Sequence, residues 1–161
     1  MIQQEGNLIV DVVTRFIVPV IQIFAFYVIF HGHYSPGGGF QGGALLAGSV
    51  LLQRVVLGRE LSQRGFARWL GIPFGIIGLT IYAGTGLLEL CKGGRFLQYD
   101  ALPVPLLDAV WLRNTGILLV EIGVAFAVMG VLVSIFDDLV GSHAEEDDVT
   151  DLTPAPEEEA S

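Results

Sequence analysis

Residues 31–43 read H-G-H-Y-S-P-G-G-G-F-Q-G-G, and they lie between two apolar runs. Six of these thirteen residues are Gly. Gly reaches backbone conformations closed to other residues, and Pro interrupts regular structure, so the segment reads as a sharp turn. Without side chains just after the turn, the second helix can approach its neighbours closely. Two apolar spans joined by such a turn form a helical hairpin in a bilayer, and the rest of the chain continues that pattern.

The composition agrees. The chain has 52% hydrophobic residues, only 16% charged residues and a mean hydropathy of +0.63. A soluble domain carries about 25% charged residues. The net charge of −9 belongs to one end: from Asp137 onward there are ten acidic residues and no Lys or Arg. Residues 1–136 are close to neutral, which argues against a nucleic-acid partner. Cys91 is the single cysteine, so neither an intrachain disulfide nor a cysteine metal cluster is expected. The start, M-I-Q-Q-E-G-N, lacks the basic stretch and cleavage site of a signal peptide, so the first apolar run is expected to stay in the mature protein.

Crossing a bilayer as a helix takes roughly 20 apolar residues. Four segments qualify, at about 8–30, 40–57, 70–88 and 114–136. The expected fold is therefore an all-α integral membrane protein, with a four-helix domain over 1–140 and the Gly-rich turn between helices 1 and 2. Asp11 and Arg15 have the acid-then-base i,i+4 spacing of a helical ion pair. Arg54, near the end of helix 2, is expected to snorkel to the interface. Glu89 and Lys92 are expected at the interface beyond helix 3.

Residues 91–113 contain an apolar part around Pro103, Pro105 and Trp111, expected as a short interfacial helix. Residues 141–161 have the acidic, Pro-containing composition of a disordered tail. Arg54, Arg59, Arg64 and Arg68 give the connection between helices 2 and 3 the larger basic count. By the positive-inside bias that loop is cytoplasmic, both termini are cytoplasmic, and the Gly-rich turn is external.

Small residues mark the packing faces. Helix 2 opens with Gly42, Gly43, Ala44, Ala47 and Gly48, and helix 3 carries Gly71, Gly75 and Gly78. Helix 4 carries Gly116, Gly123 and Gly130, whose seven-residue spacing keeps one seam against a neighbour. Glu121 lies about 200° around the helix from Gly123, at 100° per residue. A carboxylate should not face lipid, so helix 4 needs protein or water on both faces. Four helices look too few for that, which suggests one subunit of a larger assembly.

Glu121 is the ion-path candidate, because an ionisable group on a span is functional by default. The competing reading is a carboxylate that only fixes an interface. His31 and His33, at i,i+2 with no nearby third ligand, make a poor metal site. They could serve as a proton antenna, or shape the turn through backbone hydrogen bonds. The Gly-rich stretch lacks the preceding strand and the G-K-[ST] of a phosphate loop. No cofactor, metal or self-contained enzyme active site is expected.

H-G-H-Y-S-P-G-G-G-F-Q-G-G-A-L-L-A-G at 31–48 and N-T-G-I-L-L-V-E-I-G-V-A-F-A-V-M-G at 114–130 resemble the B subunit of Mrp-type multisubunit sodium/proton antiporters. The likeness covers about residues 8–137. It implies a small subunit of an inner-membrane complex that exchanges sodium for protons. It also implies, as partners, other membrane subunits, including large ones similar to those of respiratory complex I. Related subunits occur in membrane-bound hydrogenases and other ferredoxin-linked complexes. Pro36 and Phe40 fall on motif positions held important in that family, within the run Pro36, Gly37, Gly38, Gly39, Phe40, Gly42 and Gly43.

Overall fold

A computed structural model describes the backbone of residues 2–32, 38–91, 93–97 and 109–151, and side chains within 8–32, 38–57, 66–91, 93–97 and 110–140. The elements are α1 (Ile2–His31), α2 (Gly39–Gly65), a short 3-10 turn (Arg68–Leu70), α3 (Gly71–Cys91) and α4 (Ala109–Asp151). Each of the four α-helices is long and apolar enough to cross a membrane, over Leu8–His31, Gly39–Leu57, Arg68–Cys91 and Val110–Val140. The described residues form no strand. Much of the large apolar surface, such as Phe16, Ile23 and Phe24 on α1, lies outside the core. That is how a chain solvated by lipid tails is built.

The helices stand in a row, in the order α1, α2, α4, α3. α1 and α2 run antiparallel, with Ala25 and Ile29 against Gly42, and Gln22 donating a 3.3 Å hydrogen bond to Ser49. Ser49 in turn donates to the Leu46 carbonyl at 2.7 Å, so its hydroxyl proton is satisfied within the helix. α2 and α4 run parallel: Gly39 meets Glu121, Gly43 meets Ala125, and Arg54 pairs with Asp137. Ala25, Ile29, Leu46, Ala47, Val50, Ala125, Met129 and Val133 fill the space among these three helices.

α3 packs antiparallel on the opposite face of α4 through backbone contact. A Cβ at Gly123 would lie 2.9 Å from the Gly78 carbonyl oxygen, and one at Gly130 would lie 2.5 Å from that of Gly71. Phe74 adds edge-on ring contacts to Phe66 and Phe126, at 5.5 and 5.6 Å between centroids. Lipid gives helices little hydrophobic reason to associate, so the attraction here is the dispersion gained by close backbone approach.

Three expectations are corrected. Both faces of α4 meet other helices of the chain, with the glycines against α3 and half-buried Glu121 against the α1–α2 end. The need to cover two faces therefore does not by itself imply a neighbouring subunit. Arg54 does not snorkel; its side chain is 5% exposed and ion-paired. Glu89 is not interfacial in the solvated sense; it is 0% exposed.

Two boundaries also differ. α4 starts at Ala109, so Trp111 sits on its first turn, 63% exposed. It continues to Asp151, into the stretch 141–161 expected as disordered; no Pro interrupts it before Pro154, and residues 152–161 lie outside the described residues. Asp11 and Arg15, both described, are not joined by an ion pair.

Candidate functional site

α1 ends and α2 begins at one level of the row, and α4 passes beside them carrying Glu121. Three glycines make room for that side chain. A Cβ at Gly32 would lie 2.5 Å from the carboxyl carbon and from Oε1. A Cβ at Gly38 would come 2.9 Å from Oε2, and one at Gly39 would come 2.5 Å from the Glu121 carbonyl oxygen. All three glycines are buried, and Oε2 is closed to solvent. The carboxylate thus sits in a cradle of main chain, beside the first turn of α2. A helix N-terminus carries partial positive charge, which suits a carboxylate and disfavours a metal cation.

The far end of the row is marked by charge. Arg54 is ion-paired with Asp137, both side chains at most 9% exposed, and donates a 3.3 Å hydrogen bond to the Phe66 carbonyl. Arg68 reaches Asp138 at 3.4 Å on the exposed side. The Gln22–Ser49 contact brings Arg15 of α1 to within about a turn of the same level. From Asp137 to Glu121 the helix rises about 24 Å at 1.5 Å per residue. A hydrocarbon core of about 30 Å starting at the charged level places Glu121 some 6 Å below its other surface.

The motif residues separate by position. Gly38 and Gly39 join Gly32 around Glu121. Gly42 turns toward Ile29 of α1, and Gly43 toward Ala125 of α4. Phe40 is 64% exposed and borders two shallow apolar grooves, one beside Ile21 and Leu52, the other beside Val128 and Leu132. Pro36, Gly37 and His33 lie outside the described residues. His31 is exposed, stacks on Tyr27 at 4.1 Å, and donates from Nδ1 to the Tyr27 carbonyl at 3.2 Å. Gly123 and Gly130 face α3, and Gly116 is buried. Among the described residues, no three His, Cys, Asp or Glu side chains gather as a metal site.

Sequence reading put Glu89 at the interface and missed the Arg54–Asp137 pair, though spacing held a signal for each. Gly71, Gly75, Gly78, Tyr82, Thr85 and Glu89 follow each other at steps of three and four, so Glu89 falls on the packed stripe of α3. Asp137 falls on the four-residue row of Glu121, Ala125, Met129 and Val133.

Residues 9–134 match the family described as a domain related to the MnhB subunit of a Na+/H+ antiporter. The chain is similar to antiporter subunit MnhB2 of Staphylococcus aureus strain MRSA252, with 32% identity over 146 residues, covering 88% of this chain and 99% of the relative. The same subunit from strain Newman is 31% identical over the same shares.

Proposed function

The chain belongs to the family of MnhB-related antiporter subunits, and on that premise we propose that it serves as one membrane subunit of a complex exchanging Na+ for H+. It acts with other membrane subunits, among them large ones similar to those of complex I, in the inner membrane. Both termini and the Arg-bearing α2–α3 connection face the cytoplasm, following the positive-inside bias.

Within the chain, Glu121 is the group we assign to the ion path. The observation that carries this is the glycine cradle: Gly32, Gly38 and Gly39 are shaped around the Glu121 side chain, within the span. Glu121→Gln keeps the shape and removes the titratable group. It should abolish exchange in everted vesicles while the complex assembles, and normal exchange in that variant would refute the assignment.

The backbone-to-backbone seams favour a second reading, in which the chain only spaces larger subunits. In that case Gly123→Leu should dissociate the complex and Glu121→Gln should be silent.

A further inference from the structure

Among the described residues, Glu89 is the largest side chain that is fully buried, at 0% exposure. It stands one turn after Thr85, itself 2% exposed, whose hydroxyl donates to the Ile81 carbonyl at 2.8 Å. The chain after α3 folds back over this end. Gly94 N–H donates to the Glu89 carbonyl at 3.1 Å, and Gly93 N–H to the Leu90 carbonyl at 3.0 Å, with Gly93 at φ +80. Phe96 then covers Gly86, where a Cβ would strike its ring, and meets the Tyr82 ring edge-on at 6.4 Å. An acidic residue at the end of a span would ordinarily reach out to water. Here it is fully buried instead, where the chain turns back at the end of α3.

The antiparallel register locates it further. Gly75 lies against Gly130, Gly78 against Ala127, and Tyr82 against Gly123. Continued along the seam, Glu89 comes level with Gly116, the remaining seam glycine and also buried. That level is about 32 Å from Asp137 along α4, at the outer edge of a hydrocarbon core of about 30 Å. Glu121 lies five residues deeper, about 7.5 Å along the axis, on the other flank of α4. Two carboxylates therefore flank one helix at successive depths, the first at the boundary and the second inside.

We propose that Glu89 is a second proton-carrying group of the exchange, loading at the external boundary ahead of Glu121. The inference rests on the antiporter reading above. The step is a proton transfer: a proton that enters from the solvent beyond that face adds to the buried Glu89 carboxylate, which becomes the neutral acid. It returns to the carboxylate when the proton moves inward. The proton is the ligand the site suits. Among the described residues, no three His, Cys, Asp or Glu side chains gather there to hold a metal ion. Among the described residues, titratable groups on the neighbouring elements are Arg95 in the segment after α3, Arg113 and Glu121 on α4, and Tyr82 and Cys91 on α3.

The test uses the assembled complex in everted vesicles, with assembly checked on native gels. Wild-type exchange is measured first; its absence removes the antiporter reading itself and is a separate failure. Given wild-type exchange, Glu89→Gln should lower it at least tenfold in an assembled complex. Glu89→Asp should retain exchange with its pH profile displaced, which a merely structural role would not produce. Normal exchange in assembled Glu89→Gln would overturn the proposal. So would failure of both variants to assemble, or an unmoved pH profile in Glu89→Asp.

Discussion

Glu121 and Gly32 share one space: the carboxylate lies where a Cβ of residue 32 would be, and a Cβ of residue 38 would crowd both the Gly32 backbone and the carboxylate. The turn and the intramembrane carboxylate are thus one construction, although they stand about ninety residues apart in the sequence. The glycines near the turn serve the helix that passes it as much as the turn itself.

Gly32→Ala and Gly38→Ala should therefore displace the Glu121 side chain. Overpacking of this kind costs about 1–3 kcal/mol. Exchange should fall tenfold or more in both variants. Gly48→Ala, where nothing lies within 4 Å of the added Cβ, should behave as wild type in the same vesicle assay.

Asp137→Asn should destabilise the chain more than any change at Asp138. Arg54 is left charged and buried, and breaking such a pair costs about 3–5 kcal/mol. Asp138 pairs with Arg68 at an exposed position, worth about 1 kcal/mol or less. Joint replacement, Arg54→Met with Asp137→Leu, should recover most of the loss. Thermal unfolding of the detergent-solubilised protein measures all three.

Gly130→Leu should part α3 from α4, because the new side chain meets the backbone of Gly71 and Gly75, which has no rotamer to change. Gly84→Leu, on the same pair of helices but with open space beside it, should leave the melting temperature unchanged. Equal melting temperatures for the two variants would contradict the packed seam.

Orientation is checked with an impermeant thiol reagent on a Cys91→Ser background. Gln63→Cys should label only from the cytoplasmic side and Gly94→Cys only from outside. The opposite pattern would invert the chain in the membrane.

The four spans were legible because twenty-residue apolar runs leave a strong local record, and α2 began within one residue of the expected start. Glycine seams were legible for the same reason, since spacing alone sets the face of a helix. Who faces whom was not. That Glu121 meets the turn, and that Arg54 meets Asp137, depends on α4 lying between α2 and α3, a pairing that no local pattern encodes. Glu89 was misplaced because a charged residue at a span end normally reaches water, whereas this one lies buried on the packed stripe of α3.

α2 is held to α4 near both ends of the bilayer, by main-chain contact at Gly39 and Glu121 and by the ion pair of Arg54 with Asp137. Helices fastened at two distant points cannot ratchet past each other by a turn without breaking both fastenings. α2 and α4 therefore form a strut of fixed length across the membrane. Any movement of this chain during a transport cycle must carry that strut as one body, with the end helices α1 and α3 shifting against it.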